Sequence, residues 1–210
     1  GLIRFSFAAE GGFKNTFPTP QDLYKQLYAP ARMEQRFAFF EHICLPSLRR
    51  QTDPDFKIAV LTGEAMPEKY LIRLETLLSD IPQCTLLALP MMNQIQAVSS
   101  IINGLKDENG DAEVAHFRLD DDDAFAVNFV EEVKSAFSKT RQLYELDNRL
   151  ALDFNKGYAL AATQDSIMID EVNERRWTPA QVVFLNKANN RHIMKFHHRR
   201  RHKIMPTVIL

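Results

Sequence analysis

Short apolar runs bounded by turn-forming residues alternate along this chain with longer stretches in which apolar residues recur every three or four positions. The short runs predict strands at residues 3–7, 56–61, 84–89 and 114–119. The longer stretches predict helices. Between residues 32 and 50, Met33, Phe37, Phe40, Ile43, Cys44 and Leu48 fall on one helical face. Pro67 suits the first turn of a second helix ending near residue 78. Residues 93–106 read as a third helix, closed by Asn109-Gly110-Asp111, and residues 124–139 as a fourth. Residues 10–20 are rich in Gly, Pro and Thr and read as a loop, while Thr52-Asp53-Pro54-Asp55 reads as a turn.

After Gln142 the rhythm changes. Residues 150–154 and 158–162 flank Asn155-Lys156-Gly157, which reads as a β-hairpin. Residues 180–185 read as one more strand. Alternation of strand and helix over most of the chain implies an α/β fold: a Rossmann-like mixed, mostly parallel sheet flanked by helices. A single domain over residues 1–210 is expected, since a chain of this length can bury one sizeable core.

Composition narrows the class. Hydrophobic residues make up 45% and charged residues 25%, as in ordinary folded domains, which excludes collagen, coiled-coil arrays and wholesale disorder. A net charge of −1 argues against a dedicated nucleic-acid binder. Cys44 and Cys84 are too few for a disulfide scaffold, lack metal-site spacing, and read as buried free thiols. No apolar run approaches the roughly 20 residues of a membrane span, and the first residues lack a basic region followed by an apolar one. A cytoplasmic location is expected.

The chemistry concentrates where the strand at residues 114–119 meets Asp120-Asp121-Asp122-Asp123. Adjacent carboxylates repel, so their concentration calls for a compensating cation. In open α/β sheets ligands bind beyond the carboxyl ends of strands. Carboxylates delivered to that edge suit a hard divalent ion, Mn²⁺ or Mg²⁺, that completes its shell with waters and substrate phosphates. The plainer reading is a solvated acidic turn that caps the helix beginning near residue 124.

Arg118-Leu119-Asp120-Asp121-Asp122-Asp123-Ala124 resembles the Leu-Asp-x-Asp-Asp motif of glycosyltransferases with the GT-A fold, in particular the Putative rhamnosyltransferase family with its Arg-Leu-Asp-x-Asp-Asp-Ala pattern. Arg4-Phe5-Ser6 resembles that family's opening strand. Leu45-Pro46-Ser47-Leu48, Gln51-Thr52-Asp53 and Phe56 resemble its helix-then-strand pattern, and Asn103-Gly104 the helix leading to the metal motif. The resemblance implies a GT-A-like fold with a nucleotide-sugar-binding part (residues 1–140) and an acceptor-side part (residues 141–210). It implies transfer of a sugar from a nucleotide-sugar donor to the hydroxyl of a glycan or small-molecule acceptor, with DxD-type metal dependence. Carried over, Asp120 takes the nucleotide side, Asp122 is a metal ligand and Asp123 supports it. Asp121 fills the variable slot, and its acidity leaves the ligand assignment among these carboxylates open.

An inverting transfer needs a carboxylate to accept the acceptor's proton. Asp165 and Asp153 are the candidates; helix capping or a surface position is the plainer role for either. His192, His197, His198 and His202 share a short stretch with Arg199, Arg200, Arg201 and Lys203. The resemblance makes His197 or His198 an additional metal ligand and Arg199 a grip on the diphosphate, arginine's planar fork matching phosphate oxygens. A solvated basic tail, or a patch drawn to anionic lipid in peripheral membrane contact, is the alternative. Arg4 and Arg118 are candidates for the nucleotide, against an ion pair at the surface or with the aspartates. His116 reads as a core histidine, Trp177 before Thr178-Pro179 as a stacking face or core, and Phe37, Phe39 and Phe40 as packing.

Two rival functions stand beside this reading. A nucleotidyltransferase making sugar nucleotides shares the layout but carries a Gly-rich phosphate loop, of which Gly11-Gly12-Phe13-Lys14 is a faint version. A non-catalytic module would bind metal or acidic glycans without needing a nucleotide.

Overall fold

An apolar run without polar alternation suits a strand covered on both faces, which has no side to give to water. In the computed structural model, which describes residues 1–10, 17–107, 113–163, 165–177, 179–186, 189 and 191–210, the chain begins with strands β1 (Leu2–Arg4) and β2 (Ala9–Glu10). Helices α1 (Pro20–Leu27) and α2 (Pro30–Phe39), a π-helical turn (Phe40–Cys44) and α3 (Leu45–Arg49) follow. Next come β3 (Ile58–Gly63), α4 (Glu68–Leu78), β4 (Cys84–Leu89), β5 (Met92–Asn93), α5 (Gln94–Asp107) and β6 (Val114–Asp120). The remainder holds α6 (Phe129–Asp147), β7 (Arg149–Asp153), β8 (Lys156–Ala162), β9 (Ile167–Asn173) and β10 (Gln181–Leu185). Two 3-10 turns (Ile193–Lys195 and His198–Lys203) lead into β11 (Thr207–Ile209).

Seven strands form one sheet in the order β11-β7-β10-β6-β1-β3-β4. β10 is antiparallel to both β6 and β7, while the other pairings are parallel. Every strand of this sheet except β10 therefore points the same way, and their carboxyl ends share one edge. This is the mixed, mostly parallel α/β sheet expected from the alternation of elements. It takes strands from both sides of residue 140.

Helices cover the sheet on both faces. On one, Ile3, Phe5 and Leu119 pack with Phe37 and Phe40, all at most 1% exposed, and with residues of α4 and α6. Phe5 lies 4.8 Å from Phe37 and 5.0 Å from Phe40 between ring centroids. On the other, Leu2 and Leu61 meet Ala97, Val98, Ile101 and Ile102 of α5. Beside that, Ile193, Phe196 and Met205 cover Ala151 and Val183. The late turns are thus folded onto the sheet rather than trailing from it.

Four sequence expectations are corrected. The helix over residues 32–50 is broken by the π turn, in which the Leu45 N–H reaches back to the Phe40 carbonyl. Pro46 lies inside α3, has no N–H, and would press its ring against the carbonyl four residues back in a regular helix; the wider turn relieves that clash. The last helix of the α/β part starts at Phe129, not near residue 124. Residues before it are tied down outside any helix: the Thr52 N–H donates to the Val127 carbonyl, and the Gln51 side chain donates to the Ala126 carbonyl and accepts from the Val130 N–H. Phe125 stacks on Phe129 at 3.8 Å. Asn155-Lys156-Gly157 is no hairpin turn, because buried β7 pairs with β10 and β11 while β8 pairs with β9. Within the predicted loop, Thr19 caps an unforeseen helix, α1, by accepting from the Asp22 N–H. Cys44 and Cys84 are free thiols, as read from the sequence. The Gly11–Lys14 segment, Asn109-Gly110-Asp111 and Thr178 lie outside the described residues.

Candidate functional site

The carboxyl edge of the sheet gathers the charged residues. β1 and β6 pair in register so that Arg4 stands beside Asp120, their side chains 3.8 Å apart. Beyond Asp120 the chain turns, the Asp123 N–H donating to the Asp120 carbonyl at 3.1 Å. Asp121 is driven inward to 3% exposure, while Asp122 stays exposed.

A buried carboxylate needs a partner, and α2 supplies it. Arg36 Nε donates to Asp121 Oδ2 at 2.8 Å, Arg36 Nη2 contacts Asp121 Oδ1, and Arg36 Nη1 donates to Asp122 Oδ2 at 2.9 Å. One helical turn earlier, Arg32 Nη1 donates to the Ser6 hydroxyl at 2.9 Å and the Leu27 carbonyl at 2.6 Å. Ser6 sits just past β1 with φ 52°, a left-handed backbone that is costly for a non-glycine residue and concentrates at functional sites. Together Arg4, Ser6, Arg32, Arg36, Gln94 and the first three aspartates border a cavity of about 330 Å³.

Electrostatics distinguish the four carboxylates. Burial, reinforced by Asp120 and Asp122, pushes the Asp123 carboxyl up to about 6 against the pull of Arg118 and Arg36. Asp123 is no helix cap, since α6 begins after Asn128. Burial also lowers the Arg118 guanidinium, with Arg4 adding to the effect and Asp120 and Asp123 opposing it.

The other candidates lie farther along the chain and the edge. Asp153 ends β7 at 1% exposure, accepting from the Arg176 N–H at 2.7 Å and the Gln181 side chain at 3.3 Å. Asp165 lies exposed in the turn joining β8 to β9, where its N–H donates to the Thr163 hydroxyl. Seven strand residues, about 23 Å of chain, separate that turn from the start of β8. Exposed His197 stacks on His198 with centroids 4.8 Å apart and accepts from the N–H of exposed Arg199. Burial keeps His198 below the usual histidine value, and so do His197, Arg118, Arg199 and Arg201. Among the described residues, no three His, Cys, Asp or Glu side chains gather as a metal-holding group. His116 is buried in β6, and Trp177 is 36% exposed.

Sequence reasoning missed Arg32 and Arg36. Their four-residue spacing on a helix beside the Phe37–Phe40 core face was the available signal. It placed both arginines on one side of α2 but gave no hint of the aspartates they meet.

A polar cavity at the carboxyl ends of parallel strands, walled by arginines and carboxylates, is the layout with which α/β enzymes hold anionic ligands. The chain belongs to the family described as Putative rhamnosyl transferase, whose profile matches residues 1–210, and the family's name places it with the glycosyltransferases. A comparison with the curated proteins gave no match. Among the described residues, no helix is long and apolar enough to cross a membrane.

Proposed function

We propose that this chain is a GT-A-type glycosyltransferase that moves a sugar, rhamnose by the family's name, from a nucleotide-sugar donor to an acceptor hydroxyl. The observation that carries the reading is the cavity where Arg4, Arg32 and Arg36 face Asp120, Asp121 and Asp122. Cleaving a sugar–phosphate bond leaves extra negative charge on the departing diphosphate. Arginines fixed beforehand by Asp121, Ser6 and the Leu27 carbonyl are oriented for that charge without reorganising.

The carboxylates fit a divalent cation such as Mn²⁺ or Mg²⁺. Burial is the main cause that pushes Asp123 upward, and Asp120 and Asp122 add a repulsion that a cation relieves. Such ions take one or two protein carboxylates and fill the rest of their shell from phosphates and water, so Asp122 and Asp123 suffice. Bound there, the ion would supply Lewis-acid stabilisation of the diphosphate. His197 or His198, at the start of the second 3-10 turn, is the additional ligand in this reading. Asp153, which shares the sheet edge with the cavity, is assigned the proton from the acceptor hydroxyl, ahead of Asp165 at the hairpin turn.

Thermal melting with each nucleoside diphosphate, with and without manganese, tests the reading on wild type and Asp122→Ala. At a hundredfold excess over its dissociation constant, a ligand of the folded state adds about 2.7 kcal/mol. Stabilisation by one nucleotide that needs manganese and vanishes in Asp122→Ala is the expected result. A shift with metal alone and with no nucleotide would instead favour a metal-binding module.

A further inference from the structure

Two arginines, Arg201 buried and Arg118 half-buried, lack the full set of partners a guanidinium requires. Arg201 is 4% exposed, and its Nε and Nη1 have no hydrogen-bond partner among the described residues. Its Nη2 makes one long contact, with the Ile193 carbonyl at 3.4 Å. Arg118 donates through Nη1 to Met194 Sδ at 3.6 Å, a weak acceptor, and its Nε is also buried and unpartnered. Ile193 and Met194 are neighbours in one 3-10 turn, so the two guanidiniums flank the same turn.

The sheet register gathers more polar groups there. Val182 pairs with Phe117, and Gln181 pairs with Asp153, so Arg118, Gln181 and Asp153 stand in one row across three strands spaced about 4.8 Å apart. Gln181 Oε1 is itself buried and unpartnered. Asp153 is the acid that acts on Arg201, but its two oxygens already accept from Arg176 and Gln181. The other charges acting on nearby His198 are positive. Asp120 and Asp123 act on Arg118 from the strand end without hydrogen-bonding to it; guanidinium donors left idle in a buried place are costly, and an arriving oxyanion relieves that cost.

We infer that Arg118 and Arg201 form an oxyanion-binding site one pleat below Asp120, built to take a phosphate or carboxylate group through guanidinium N–H donors. Two carriers present this chemistry: the diphosphate of a sugar nucleotide and the acidic group of an acceptor sugar. The site goes beyond the transferase reading, because small anions alone test it.

The experiment compares the full chain with Arg201→Met, Arg201→Lys and the exposed neighbour Lys203→Gln as a charge control. Melting and calorimetric titration are run in phosphate-free buffer, then with inorganic phosphate, pyrophosphate or glucuronate. The expected result has wild type and Lys203→Gln stabilised by at least one anion. In Arg201→Met that stabilisation is lost and the dissociation constant weakens tenfold or more; Arg201→Lys falls between. Without anion, Arg201→Met melts at or above wild type, since it removes a buried charge two of whose donor nitrogens are idle. Pyrophosphate as the stabilising anion assigns the donor, and glucuronate an acidic acceptor. The inference is overturned if no anion stabilises wild type, or if Arg201→Met responds as wild type does. Arg201→Met melting below wild type with its anion response intact also overturns it, making Arg201 structural. If no nucleoside diphosphate stabilises wild type in the melting experiment above while phosphate or pyrophosphate does, the transferase reading falls and this site stands.

Discussion

Arg36 holds one buried and one exposed carboxylate with a single fork, so its removal strands Asp121 at 3% exposure. Breaking a buried pair from one side costs about 3 kcal/mol or more. Arg36→Met should therefore melt some 6–12 °C below wild type, read by calorimetry. Asp123 behaves in the opposite sense. Its carboxyl is raised from 3.8 to about 6, so the folded chain holds that proton more tightly than the unfolded chain between those values. The stability tied to it is present at low pH and is lost as pH rises through that window. In metal-free buffer, Asp123→Asn should melt a few degrees above wild type at pH 7.5, and the difference should vanish near pH 4. The aspartates were legible as a run of one residue type at a strand end. Arg36 was not, because its partners lie far along the chain and no local spacing records such a pairing.

Elements whose own side chains decide their surroundings were legible; those whose partners decide were not. β3, β4, β6 and β10 follow from continuous apolar runs, and α4 from Pro67 and its apolar spacing. The turn signal at Asn155-Lys156-Gly157 failed because β7, buried from Leu150 to Asp153, is claimed by two later strands. β8 and β9 are left as a two-stranded hairpin with Tyr158, Leu160, Ile167 and Ile169 between 45% and 69% exposed. Side chains so open to water contribute little to the fold. Leu160→Thr and Ile169→Thr should each move the melting temperature by less than about 2 °C. Phe5→Ala, which empties a fully buried ring site between Phe37 and Phe40, should cost about 3–5 kcal/mol, measurable by urea denaturation.

At the scale of the whole molecule, one sheet edge brings together the cavity, Asp153 and the late basic turns. Asp153→Asn keeps an oxygen to accept from the Arg176 N–H, so it tests proton transfer with little change in packing. If Asp153 is the base, single-turnover sugar transfer should slow by roughly 10²–10⁴-fold while donor binding stays within a factor of about two. The strand order has another consequence, for assembly in time. Leu2 finds its neighbours only at Ala59 and Arg118, and Leu152 finds its own only at Val182 and Val208. During synthesis, β1 waits for β3 and β6, and β7 waits for the final strand of this chain. Distant pairings of this kind raise the contact order and slow folding. Until β10 and β11 emerge from the ribosome, the apolar residues of β7 are a template for the wrong neighbour. The interval between the synthesis of residue 153 and that of residue 209 is therefore the one in which a nascent chain of this architecture is most open to association with a wrong strand, and slower elongation through it lengthens that exposure.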